Sequence, residues 1–317
     1  MMNLTRAEAA EFLKEQDNYV ILTHARPDGD TVGSSAALCL GLRSLGKTAH
    51  VLRNPGITPR YAWLHEGLTV EEAGENDTII STDVASPGML PQEFQHLLDR
   101  VVLRIDHHGS ATSFTEQELV DPNSASCAEV IWDVLAYLGV SPEPRLMDAI
   151  YVGLSTDTGC FRFANTTAHT FRVAAICAQY GAKVFELNQQ LFETNTLGKL
   201  RMQAWMVEHM RMLGGDTMAI CAIPKAVEER LGVSSDDMDN ISNFPRSVAG
   251  VNIAATLREA ENGVVKLSVR AVPGYDATRI AVRFGGGGHK GAAGGTLHMT
   301  MEEAVKAVEE VMTELCQ

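Results

Sequence analysis

Short apolar runs alternate with longer capped segments through the first half of the chain. Asn18–Thr23, Thr48–Arg53, Thr78–Thr82 and Val101–Ile105 are too short for helices, rich in Val, Ile and Leu, and bounded by turn residues. They predict buried strands. Between them, Thr5 and Glu8 form a capping box that opens a helix to about Gln16. A second helix is expected from about Thr31 to Leu45, stopped by Gly46. Further helices are expected over 125–138, 143–156 and 167–180. Strand–helix alternation of this kind predicts an α/β fold, a doubly wound parallel sheet.

Near residues 188–200 the pattern loosens, and the expected linker lies there. It divides a first domain, 1–187, from a smaller α/β domain, 201–317, with the active-site cleft expected between them. The second domain opens on a helix near 199–213, followed by strands near 216–222, 249–258 and 263–271. Gly285 to Gly295 is a nearly side-chain-free loop, and Thr300 with Glu303 caps a final helix from about Met301.

Composition adds limits. With 317 residues, 45% hydrophobic and 21% charged, the chain reads as an ordinary globular protein with a sizeable core. No apolar run approaches the roughly 18–20 residues that span a bilayer, and the start lacks a basic segment followed by an apolar core. Cysteines 39, 127, 160, 177, 221 and 316 contain no CxxC pair, which predicts reduced thiols in a cytoplasmic protein. The formal charge is −14. Residues 201–317 carry 12 Lys+Arg and 15 Asp+Glu, which leaves 14 and 25 for residues 1–200; the net charges are −3 and −11. A long duplex needs a basic face and is disfavoured, whereas a short anionic substrate is allowed.

The acidity accompanies residues suited to metal. Four strand or helix ends carry such side chains: His24, Asp28 and Asp30; Asp83; Asp106-His107-His108; and Asp157. Taken singly each has a plainer reading. Pro27-Asp28-Gly29-Asp30 is a turn, Asp83 or Asp157 caps a helix, and one His of the pair caps a loop. Together, at the carboxyl ends of parallel strands where α/β sheets place ligands, they predict a metal centre. Carboxylates and imidazoles without thiolate suit Mn²⁺ or Mg²⁺, and accept Fe²⁺, Co²⁺ or Zn²⁺. Two such ions about 3.5–4 Å apart share a water and lower its pKa for phosphoryl displacement.

In order, spacing and content, these residues resemble the four motifs of the DHH phosphoesterases. Gly285–Gly295 resembles the glycine-rich loop of their companion DHHA1 domain, so the resemblance covers nearly the whole chain. Length and plan are most similar to the bacterial oligoribonuclease (nanoRNase)/pAp-phosphatase group. The resemblance implies two divalent cations, Mn²⁺ first. His24, Asp28 and Asp83 would hold one, and Asp30, Asp83, His107 and Asp157 the other. It implies catalytic roles for the bridging Asp83, for His108 at the substrate phosphate as hydrogen-bond donor or general acid, and for Asp106 as the orienter of an imidazole.

Gly287 and Gly288 let backbone N–H groups approach a phosphate, unless the loop is merely a turn. Lys266, Ser268 and Arg270 share one strand face, which is either a ligand grip or a solvated surface. The resemblance points to Ser268, Arg270 and His289 as nucleotide contacts, with Arg258 and Arg26 as further candidates. The implied activity is hydrolysis of short RNA or DNA oligonucleotides, linear dinucleotides or 3′-phosphoadenosine-5′-phosphate (pAp), in the cytoplasm and without a membrane; a homodimer is plausible from the family. Alternatives are a cyclic-dinucleotide phosphodiesterase, a phosphatase for pAp alone, and a non-catalytic nucleotide sensor. Histidines 50, 65, 96, 169, 209 and 298 read as structural or solvated, and Met202, Met206 and Met210 as packing.

Overall fold

The computed structural model describes residues 2–109, 112–234, 236–238, 240–260 and 263–315. The chain forms two compact units, Met1–Thr194 and Asn195–Gln317.

The first unit runs β1 (Met2–Asn3), α1 (Arg6–Glu15), β2 (Tyr19–Leu22), α2 (Gly29–Ser44), β3 (Ala49–Leu52), α3 (Pro59–Ala62), β4 (Thr69–Val70), β5 (Thr78–Thr82), β6 (Val101–Asp106), β7 (Gln117–Val120), α4 (Cys127–Tyr137), α5 (Pro144–Asp157), α6 (Ala168–Gln179) and α7 (Val184–Asn188). Its sheet has the order β1-β7-β6-β5-β2-β3-β4, and every pairing is parallel. From β2 the chain goes outward to β3 and β4, then returns to the other side of β2 for β5 and β6. The sheet therefore reverses its winding between β2 and β5, and such switch points open a crevice at the strands' carboxyl ends.

Residues 188–200 are mostly helical: Gln189–Glu193 is a π-helical turn, and α8 (Leu197–His209) follows after three residues. The second unit continues with β8 (Arg211–Leu213), β9 (Met218–Ile223), α9 (Lys225–Leu231), β10 (Ile253–Glu259), β11 (Val265–Ala271), α10 (Thr278–Ala281), β12 (Gly287–His289), β13 (Ala292–Leu297) and α11 (Met301–Leu315). Its sheet order is β12-β13-β11-β10-β9-β8. Leu267, Val269 and Ile253 pack with Val308 and Met312 of α11 in one core. Met202 and Met206 are fully buried with Cys221 and Ile223 in another.

Three expectations need correction. The helix expected to Leu213 ends at His209, because Arg211–Leu213 pairs antiparallel with β9. Strand β10 begins at Ile253, not near 249. The glycine loop is a hairpin, β12 against β13. The five described cysteines are free thiols; Cys316 lies outside the described residues. Among the described residues no helix is long and apolar enough to cross a membrane.

Candidate metal centre

Three strands deliver the site. His24 lies two residues beyond β2, Asp83 follows β5 directly, and Asp106 ends β6 with His107 and His108 beyond it. Helix α2 starts earlier than Thr31, at Gly29, because the Asp28 carboxylate caps it: Oδ1 accepts from the amides of Asp30 at 3.1 Å and Thr31 at 3.0 Å. Asp157 is the last residue of α5, where the helix dipole disfavours an anion. A cation offsets that penalty.

The geometry forms two triads, His24–Asp28–Asp83 and Asp30–His107–Asp157, with Asp83 also beside His107. His24 Nε2 lies 3.9 Å from Asp28 Oδ1 and 3.6 Å from Asp83 Oδ2. His107 Nε2 lies 3.7 Å from Asp30 Oδ2, 3.7 Å from Asp83 Oδ1 and 3.6 Å from Asp157 Oδ2. These separations are too long for hydrogen bonds. They are slightly wider than the spacing on a common ion, where bonds of roughly 2.1 Å put neighbouring ligand atoms about 3–3.5 Å apart, so a small inward movement of each side chain would close the set on a cation. Asp83 gives one oxygen to each triad. Its Oδ1 is buried with no hydrogen-bond partner, while Oδ2 accepts from the Thr31 hydroxyl. An orphaned buried carboxylate oxygen between two imidazoles fits a divalent cation.

Electrostatics agree. Burial first, then Asp28, push Asp30 up to about 7 despite two amide donors, Cys127 N–H at 2.6 Å and Ala128 N–H at 2.9 Å. Burial and the neighbouring carboxylates raise Asp83 and Asp157 well above the ordinary range. Burial, helped by the charge of His108, lowers His107 and so favours the neutral form that ligates metal. Its Nδ1 faces the Ser124 carbonyl at 3.3 Å, which fixes the tautomer with Nε2 as the lone-pair donor.

His108 differs. Its Nδ1 is 2.7 Å from Asp106 Oδ1, which also accepts the amides of His107 at 2.7 Å and His108 at 3.2 Å. Burial alone would lower His108, but Asp106 and Asp83 raise it to about 9. An Nδ1 that carries this proton is no metal ligand, so the grouping of Asp83, His107 and His108 is not a third ion site. Asp106 thus orients His108, while Ser124 orients His107.

Residues 18–154 match the DHH family, N-terminal domain, and residues 215–314 match the DHHA1 domain. The bifunctional oligoribonuclease and PAP phosphatase NrnA of Thermus thermophilus is 33% identical, over 96% of this chain and 92% of its own. The chain belongs to the DHH–DHHA1 family. With this family and these named relatives, the chain is a hydrolase acting on phosphoester bonds. An exopolyphosphatase-related protein from Bacteroides fragilis shares the fold at TM-score 0.84 and 24% identity, over 98% of this chain and 96% of that one. RecJ from Thermus thermophilus, in complex with Mn²⁺, shares it at TM-score 0.57 and 15% identity, over 98% of this chain and 54% of RecJ.

In the DHHA1 unit, antiparallel register puts Arg270, Ala292 and His289 in one row and Ser268, Gly294 and Gly287 in the next, on one face. Gly286 and Gly288 are explained by hairpin packing: a Cβ on Gly288, at φ +140°, would meet the Ala292 carbonyl at 2.6 Å. Beside Gly287 there is open space. Arg258 is on the same face but holds Glu228 through two hydrogen bonds of 2.5 and 2.6 Å. Arg26 is exposed between His24 and Asp28. Residues missed in the sequence are Thr31, Ser124, Asn243 and Arg246. Asn243 accepts from Arg270 Nε at 2.8 Å, and burial with the charge of Arg246 lowers Arg270 from its ordinary value. Asn243 and Arg246 lie in two 3-10 turns, Ile241–Asn243 and Pro245–Ser247, too short to leave a period in the sequence.

Proposed function

We propose that the protein is a metal-dependent phosphodiesterase that hydrolyses short oligoribonucleotides to mononucleotides and releases phosphate from pAp. The observation that carries this reading is the pair of His–Asp triads joined through Asp83. Its likeness to a named oligoribonuclease and PAP phosphatase supports the substrate class. His24, Asp28 and Asp83 would hold one divalent cation, and Asp30, Asp83, His107 and Asp157 a second, with Mn²⁺ the first candidate. Bound cations of this kind acidify water and neutralise phosphoryl charge.

The chain's own groups do the rest. With Nδ1–H anchored on Asp106, His108 exchanges its proton through Nε2, and as the cation it donates to a phosphate or leaving oxygen. Asp106 keeps that ring in one tautomer. Ser268, Arg270, Gly287, Gly288 and His289, with Arg246 added, grip a terminal phosphate and sugar, since a buried guanidinium beside a second one favours an anion. Arg258 would have to leave Glu228 to take part. So small a basic patch suits a substrate with few phosphates, in keeping with the net charge of −14.

The test is a substrate panel with Mn²⁺, with and without EDTA: RNAs of about two to five nucleotides, pAp and cyclic dinucleotides. Mononucleotides from short RNA and phosphate from pAp, both abolished by EDTA and by Asp83→Ala, are expected. No product from either substrate would defeat the reading. Turnover of pAp alone, or of cyclic dinucleotides alone, would replace it with one of the narrower activities.

A further inference from the structure

One short turn orients two of the proposed cation ligands. Residues 121–126, Asp-Pro-Asn-Ser-Ala-Ser, connect β7 to α4. The Ser124 carbonyl of this turn holds His107 Nδ1, and the first amides of α4, Cys127 and Ala128, hold both oxygens of Asp30. A shift of the turn would therefore move the His107 ring and the Asp30 carboxylate together.

The turn is anchored from inside by the Asp121 N–H on the Asp106 carbonyl at 3.1 Å and by Asn165 Nδ2 on the Ala125 carbonyl at 2.9 Å. From outside it is clamped by Arg6, the first residue of α1. One guanidinium nitrogen of Arg6 donates to Asp121 Oδ2 at 2.7 Å and to Ser124 Oγ at 2.9 Å. Nε of the same group donates to Asp133 Oδ2 at 2.7 Å, on α4. Asp133 also meets His169 Nε2 at 3.0 Å, which steadies that acceptor. Arg6 thus ties the turn to the helix that starts at its end. The Arg6, Asp121 and Asp133 side chains are 17–27% exposed, so the contacts are partly shielded from water. A planar fork can serve three acceptors set apart in this way; an ammonium is a point donor and cannot span them.

We propose that Arg6 is a positioning residue for the metal centre, acting through Asp121 and Ser124 on His107 and through α4 on Asp30. The inference rests on the reading of that centre as a cation site. Groups that orient metal ligands typically contribute 10–100-fold in metal affinity.

The experiment measures Mn²⁺ binding to the full chain by titration calorimetry and by the electron paramagnetic resonance signal of free Mn²⁺, alongside the melting temperature without metal. Arg6→Ala, one step removed from the ligands, should raise the Mn²⁺ dissociation constant by up to roughly 10-fold. Arg6→Lys should fall between it and wild type, and Ser124→Ala should show a smaller rise. The Mn²⁺ concentration giving half-maximal activity should rise in parallel, with kcat restored at saturating metal. Lower melting temperatures with unchanged Mn²⁺ affinity would reduce Arg6 to a fold-stabilising residue and overturn the proposal. If Arg6→Ala does not fold, Arg6→Lys and Ser124→Ala decide the matter by the same readout. A wild-type protein that binds no Mn²⁺ would instead sink the reading of the centre itself, which is a separate result.

Discussion

Asp83 adopts φ +59°, a left-handed conformation that side-chain-bearing residues seldom take. The strain aims its carboxylate between His24 and His107, and strain of this kind is stored where the surroundings over-determine it. Around it, Asp30 is raised to about 7, and Asp83 and Asp157 are also raised well above the ordinary range, by burial and by neighbouring carboxylates. At neutral pH the metal-free fold therefore holds protons that the unfolded chain has lost. Raised carboxylate pKa values mean that this cluster's contribution to stability falls as pH climbs from the ordinary 3.8 to about 7, and that cations must displace protons. Mn²⁺ affinity should accordingly strengthen between about pH 6 and 8, and an unbuffered solution should acidify when Mn²⁺ is added. Calorimetry in buffers of different ionisation enthalpy checks both. The six proposed ligands were legible one by one, because acids and imidazoles at strand ends stand out. Which group orients which imidazole was not, since Ser124 is seventeen residues from His107 and meets it only in space, and its carbonyl leaves no mark in a sequence.

Helices α2 and α5 approach closely enough that glycine is required at the contact. A Cβ on Gly33 would meet the Ala149 carbonyl at 2.5 Å, and one on Gly153 would meet the Ala128 side chain and lie 2.7 Å from Asp30 Oδ1. This packing sets Asp30 at the head of one helix near Asp157 at the tail of the other. Gly153→Ala should cost about 1–3 kcal/mol by overpacking, read by urea denaturation, and should weaken Mn²⁺ binding by displacing Asp30. The strands of the first sheet were legible where they are apolar. Strand β7 was not, because Gln117 and Glu118 break the pattern. Glu118 is there to pair with Arg104 on the neighbouring strand, 2.7 Å away and almost fully buried. Helix α8 ends sooner than the apolar pattern predicts, because Met210 and Met212 extend that pattern into a segment that the β9 edge captures as a strand.

For the molecule as a whole, all of the proposed ligands fall in Met1–Thr194, which has cores of its own, while Asn195–Gln317 has others. Residues 1–194 expressed alone should fold and bind Mn²⁺ with affinity close to that of the full chain, yet lose efficiency on short RNA, chiefly in KM. Binding titrations and steady-state kinetics on the fragment check this. The sequence by itself determined the alternation of strands and helices, the motif residues and the uneven charge, because periodicity and residue chemistry are local properties. Only the tertiary structure decided that Asp106 holds His108, that Arg258 is engaged by Glu228 and that Arg6 reaches the turn before α4. Each of these depends on the distance between groups far apart in the chain, and packing alone fixes such distances.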